Sequence, residues 1–259
     1  MAEGEAVRYV PIKEARAMRG LRIAFTSGVP GAWGVAIKMI LDLKGIDYIP
    51  VAQIPGAPNE ELKAWTGQSS APVLMLNDDR PRTQWSEMLV LAEQLQPEPR
   101  MIPVDEDERM ALFGFCHEIC GDDGLGWNVR LMLLSGEHGS GEEDDGTLLM
   151  RSRYSSPVDN NYSRNRVRQI VGAMVKRLES QAAKGSRYFM GDGLTAADIY
   201  WTAFSNLFAA MSSDLCTMPD YVRGFGKLLE VYMGEPTPQI LLNHRDYIAR
   251  THFRLPITL

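Results

Sequence analysis

Cysteine is scarce in this chain: Cys116, Cys120 and Cys216 are the only three in 259 residues. An odd number, without CxxC or metal-ligand spacing, excludes a disulfide framework and a zinc ribbon and fits a reducing compartment, so a cytoplasmic protein without a metal is expected. No apolar run approaches the roughly 20 residues that span a bilayer. The opening Met1-Ala2-Glu3-Gly4-Glu5 is acidic, with no apolar core of a secretory signal. Basic charge is also short, because 27 Lys and Arg against 33 Asp and Glu leave a net charge of −6. The positive footprint of a nucleic-acid binder is therefore missing. What remains is ordinary globular composition, 45% hydrophobic and 23% charged, long enough for one large domain or two small ones.

Residues 1–20 are mixed and read as an extension lying over the first domain. Leu21 to Thr26 alternates bulky apolar residues as a short strand does. Ser27-Gly28-Val29-Pro30-Gly31 is a turn, with Pro30 suited to a helix entrance. Trp33, Ala36, Ile37, Ile40 and Leu41 then give one apolar helical face, which Gly45 ends as a left-handed residue. Tyr48 to Ala52 is a second strand, completing a right-handed strand–helix–strand unit. Asn59 caps a short helix to Trp65. Ser69 to Leu76, the turn Asn77 to Arg80 and Pro81 to Gln84 read as a β-hairpin. Ser86 is the expected N-cap of a helix carrying Met88, Leu91, Ala92 and Leu95. The order is β-α-β-α-β-β-α over 21–96, with 97–103 as a linker.

From 104 to 259 no convincing strand remains, and an all-helical domain is expected. Asp105 to Cys120 is helical with an acidic first turn, Gly121 to Gly126 interrupts, and Trp127 to Leu134 continues. Ser135 to Thr147, with Glu142-Glu143-Asp144-Asp145, reads as a solvated loop. The alternative is a contact with Arg151, Arg153, Arg164, Arg166 and Arg168. Val167, Ile170, Val171, Met174, Val175 and Leu178 form a core stripe. Thr195 and Asp198 make a shortened capping box, with Leu194 and Ile199 as the hydrophobic staple. Cys116 and Cys120 share a helical face and read as two free buried thiols.

Four of these features resemble the glutathione S-transferase family over about residues 21–235. They are the βαβ opening ending in Lys44-Gly45-Ile46-Asp47-Tyr48, the Ala71-Pro72-Val73 step before the hairpin, the helix ending in Leu91-Ala92-Glu93-Gln94-Leu95, and the Gly191 to Asp198 cap. The resemblance implies an α/β thioredoxin-like N-terminal domain followed by a helical-bundle domain, and a homodimer. It implies glutathione as co-substrate and a small-molecule electrophile as partner. Pro72 should be cis, with Ala71 offering its main-chain N–H and C=O to the cysteinyl part of the tripeptide. An acid followed by Ser should bind the γ-glutamyl group, which places Glu87 there with Met88 in place of the serine. The Met88 N–H, or the Ser86 hydroxyl, is then the substitute.

Thiol transfer needs a thiolate, and an ordinary thiol has a pKa of about 8.5. A hydroxyl or N–H aimed at sulfur beside a positive helix end favours the charged form. Relatives place Ser, Cys, Tyr or Thr near the first turn; here alignment gives Val29 or Gly31, neither of which carries a hydroxyl. Ser27 is the candidate catalytic residue, with Thr26 nearby and the N–H groups of Gly31 and Ala32 as a backbone alternative. Trp33, His117 and Trp127 are candidates for the electrophile pocket. An enzyme that conjugates, isomerises or reduces with glutathione is the first reading. A non-catalytic binding protein of the same fold is the second.

Overall fold

The computed structural model describes residues 7–135, 145–154 and 159–258. Three strands form one sheet in the order β2-β1-β3: β1 (Leu21–Thr26), β2 (Ile49–Gln53) and β3 (Val73–Leu76). β1 runs parallel to β2 and antiparallel to β3. Both faces of β1 are buried, which is why it reads as a nearly continuous apolar run. Leu21, Ile23 and Phe25 face a large core shared with the helical half, while Ala24 faces a smaller cluster with Val51, Leu62 and Val73.

Helices α1 (Ile12–Ala17), α2 (Ala32–Leu43), α3 (Glu60–Thr66) and α4 (Trp85–Leu95) cover the two sheet faces. The extension is thus ordered from residue 7: Val10 pairs with Val51, donating to the Pro50 carbonyl at 2.8 Å, and α1 packs beside α3. α2 ends where Gly45 takes φ +63°. Buried Lys44, just before it, pairs with Glu93 at 2.6 Å and donates to the carbonyls of Gln96 and Pro99, tying α2 to the segment after α4.

Three local expectations are corrected. The hairpin's second strand shrinks to one bridge, Leu74 with Arg82. Pro81 has no N–H to give a ladder, and the Thr83 and Gln84 N–H groups turn to the Glu87 carboxylate instead. Asn59 does not cap α3; its amide is spent bridging Ile54 and Ala57 in the preceding loop. Ser86 is not the N-cap of α4. Gln84 is, in a capping box with Glu87.

The rest is helical: α5 (Glu106–Cys120), α6 (Leu125–Leu134), α7 (Asp145–Tyr154), α8 (Asn160–Ala182), α9 (Ala196–Phe204), α10 (Asp220–Arg223), α11 (Phe225–Met233) and α12 (Gln239–His252). α9 is buried along its whole length and packs on α2, α5 and α12. Its start is fixed by Asp198, fully buried, which accepts from the N–H and hydroxyl of Thr195, from the Phe189 N–H and from His244, at 2.8–3.0 Å. Of the stripe on α8, Val167, Ile170, Met174 and Leu178 are core, while Val171 and Val175 line a hollow of about 430 Å³ against α11. The acidic run at 142–144 lies outside the described residues. Arg164 donates to the Tyr232 carbonyl, Arg166 pairs with Glu118 and Asp123, and Arg168 pairs with Glu235. Among the described residues no helix is long and apolar enough to cross a membrane.

Candidate functional site

β1 delivers the chain to the entrance of α2. The Ser27 N–H donates to the Gln53 carbonyl at 2.9 Å, and Gly28 turns with φ +70°. Pro30 is buried, and Gly31 is the N-cap with no side chain to satisfy the first-turn amides. Acidic residues are absent from that turn, so the positive end of α2 carries no countercharge of its own. The Gly31 N–H is not free as expected, because it donates to the Val29 carbonyl at 2.8 Å. The Ser27 hydroxyl, partly exposed, bonds no other described residue. Val7 and Tyr9 of the extension cover Thr26, Val29 and Gly31 from the β2 side, where Val10 is paired.

Ala71 lies on the other side of β1. Its bond to Pro72 is cis. The β1–β3 register ends at Ala24 with Val73, so Ala71 lies just before the paired part of β3, at the end of the sheet where β1 leaves toward Ser27. Buried Gln53 steadies the approach by donating to the Ser69 carbonyl at 3.3 Å. Neither the N–H nor the C=O of Ala71 bonds any other described residue, and the residue is partly exposed. An extended peptide could therefore take both groups as a strand would.

The start of α4 lies next along the chain. Glu87 pairs with Arg80 at 2.7 Å and accepts from Thr83 and Gln84. Burial disfavours its charge, but Arg80 and the two amides outweigh that and hold its carboxyl below the usual range. Met88 is 1% exposed and packs into the core, and its N–H already donates to the Gln84 carbonyl at 3.2 Å. It can offer a ligand neither side chain nor amide. The hydroxyl at this helix entrance is that of Ser86, in the first turn, partly exposed and without a partner among the described residues. Of the pair expected at Glu87 and Met88, the first is thus engaged with Arg80 and the second is buried in the core. Ser86 is preceded by Trp85, whose ring packs against Tyr200 and Phe113.

Of the expected pocket residues, Trp33 and Trp127 come together and His117 does not. Trp33, two residues past Gly31, donates from Nε1 to the Cys120 carbonyl at 2.7 Å and packs edge-on to Phe204. The Arg130 guanidinium lies over both indoles, 5.0 Å from the Trp33 centroid and 4.4 Å from that of Trp127. Tyr154 of α7 completes the group at 4.0 Å. Arg130 follows Trp127 by three residues on α6, so the sequence puts those two on one helical face, whereas the rings of Trp33 and Tyr154 come from α2 and α7. His117 is exposed, on α5 one residue beyond the buried Cys116, with its imidazole folded over Gly121. Cys116 and Cys120 are free, and burial pushes both thiols well up. They are poor nucleophiles. Among the described residues no group of three His, Cys, Asp or Glu could hold a metal ion.

No protein-family model matches the chain, and no curated protein is similar to it in sequence. Solved structures do match. A glutathione S-transferase from Methylobacillus flagellatus with glutathione bound superposes over 88% of this chain and 94% of its own, with TM-score 0.62 at 14% identity. A glutathione transferase family member from Pseudomonas fluorescens with two glutathiones bound covers 93% and 95%, with TM-score 0.60 at 13% identity. The chain has the glutathione S-transferase fold. A maleylacetoacetate isomerase from Anaeromyxobacter dehalogenans also has this architecture, with coverage of 94% and 91%, TM-score 0.53 and 16% identity. Two of these solved glutathione S-transferase folds carry the tripeptide, and the first half of this chain supplies the fold's thioredoxin-like part.

Proposed function

We propose that the chain binds glutathione along Ala71 and the first turn of α4, and transfers or adds its thiol to a small electrophile. Conjugation and thiol-assisted isomerisation are the two reactions this covers. The observation that carries the reading is the unbonded N–H and C=O of Ala71, just before β3, at the end of the sheet where β1 leads through Ser27 to the uncapped entrance of α2. The cysteinyl main chain pairs with Ala71. The γ-glutamyl carboxylate takes the Ser86 hydroxyl and the Trp85 and Ser86 amides, which have no intrahelical partner. The sulfur then lies at the mouth of α2. The Ser27 hydroxyl donates to it, the helix dipole favours its anion, and the thiol proton leaves to solvent. Holding thiolate and electrophile together supplies much of the remaining rate.

Calorimetric titration with glutathione and a conjugation assay with a generic electrophile test this. Ser27→Ala is expected to lower turnover by roughly tenfold or more, as loss of one donor to developing or existing negative charge does. Unchanged turnover removes Ser27 from the site. A second reading, ligand carriage without catalysis, is favoured by one observation: the Gly31 N–H is spent on Val29 and no side chain but Ser27 and Thr26 offers a hydroxyl in that turn. Binding without turnover selects it.

A further inference from the structure

Arg130 is the one feature of the candidate pocket that the thiol chemistry leaves unexplained. Other buried or partly buried arginines are spent on protein acceptors: Arg22 on the carbonyls of Met18 and Asn77, Arg223 on those of Met211 and Cys216, Arg245 on Ala209 and Asp246. Arg130 makes no hydrogen bond or ion pair with any described residue. Its Nε is buried without a partner, while its terminal nitrogens, also unbonded, are not buried. Burial lowers its pKa and the field of Asp122 opposes that only from a distance, without an ion pair. An arginine so placed stays charged. Ring faces repay part of its lost hydration and fix its plane, but they leave the outward fork of N–H donors unsatisfied.

We propose that Arg130 anchors an anionic group on the second substrate, so that the acceptor is a carboxylate-bearing electrophile. For its reaction the proposal rests on the glutathione reading; for the binding of the anion it does not. The placement comes from Trp33, whose ring touches Arg130 while its backbone belongs to the first turn of α2, where the thiol is activated. Gly126 keeps Trp33 there: a Cβ at that position would lie 2.2 Å from Phe204 and 3.1 Å from the indole. A carboxylate held by both terminal nitrogens fixes the acceptor's orientation as well as its position. In the reaction the thiolate sulfur forms a bond to an electron-poor carbon. With a chloroarene the carbon–chlorine bond breaks and chloride leaves with the electron pair, so no oxidant or reductant is needed.

The test titrates 3,5-dinitrobenzoate and its neutral analogue 3,5-dinitrobenzamide, without glutathione, into the wild-type, Arg130→Gln and Arg130→Lys chains by calorimetry. The wild type is expected to bind the benzoate about tenfold or more tightly than the amide, the effect of one charge-assisted pair. That ratio should fall to about one in Arg130→Gln and only partly in Arg130→Lys, which keeps charge but loses the fork. With glutathione, 4-chloro-3,5-dinitrobenzoate should show the same ratio against its amide, mainly in KM. Equal binding of benzoate and amide by the wild type, or a preference that survives in Arg130→Gln, overturns the proposal. Should Arg130→Gln fail to fold, the wild-type ratio and Arg130→Lys decide. Benzoate preference without any glutathione binding would overturn the transfer reading and leave the anion site in place.

Discussion

Replacing Met88 by serine sets the expectation read from the family pattern against the buried place that the structure gives this side chain. By the family pattern, Met88→Ser restores a ligand hydroxyl and tightens glutathione binding. In the structure the Met88 side chain is 1% exposed and belongs to the main core. Truncating such a side chain costs about 2–5 kcal/mol, of which a bond from the new hydroxyl to the Gln84 carbonyl returns little. At roughly 2–4 °C per kcal/mol for a chain of this size, the melting temperature should fall by about 4–20 °C. Glutathione affinity should not improve. Ser86→Ala is the converse. Ser86 is partly exposed and makes no bond to be lost on folding, so stability should stay within about 0.5 kcal/mol. Loss of a hydrogen bond to a carboxylate, about 1.5–3 kcal/mol, weakens glutathione by roughly tenfold or more. Scanning calorimetry and titration calorimetry read both effects. A Met88→Ser chain that binds glutathione more tightly at an unchanged melting temperature refutes the placement of this side chain in the core.

Trp33→Phe keeps the ring but leaves the Cys120 carbonyl without its 2.7 Å donor; a loss of about 1–3 kcal/mol is expected in denaturant titration, and an unchanged midpoint would count against the bond. Asp198→Ala strands the Thr195 and Phe189 amides in the core, with an expected cost of about 3–5 kcal/mol or failure to fold; a near-native melting temperature contradicts the cap. Burial pushes the Cys216 thiol up to about 11 and those of Cys116 and Cys120 well up. The folded state then holds protons that the unfolded chain gives up near pH 8.5, so stability is complete below that pH and declines as pH rises toward 11. A thiol reagent at pH 8 should label none of the three in the folded chain and all three after unfolding; rapid labelling of the native protein would overturn their burial.

Elements whose ends carry a local mark were legible in the sequence. Pro30 and Gly45 bracket α2, and Thr195 with Asp198 marks the start of α9, because local chemistry alone fixes those positions. What failed depended on competition for the same groups. The fourth strand was lost because the amides of Thr83 and Gln84 serve Glu87, and Asn59 left its helix for the loop before it. The cis bond at Ala71–Pro72 was legible from the proline step, but the burial of Met88 was not, since Glu87 and Ser86 both suit a helix start and only packing puts Met88 inside. The surroundings of Arg130 were legible only in part. The i, i+3 spacing on α6 puts Trp127 beside it, but no local pattern brings in residues 33 and 154.

Titration of glutathione into a chain labelled with 15N-alanine, followed by amide resonances, addresses the central claim most directly. The account predicts that the Ala71 N–H shifts progressively and saturates as it gains a partner, in step with the heat of binding. Saturable binding that leaves the Ala71 resonance where it was, or no binding at all, would contradict it.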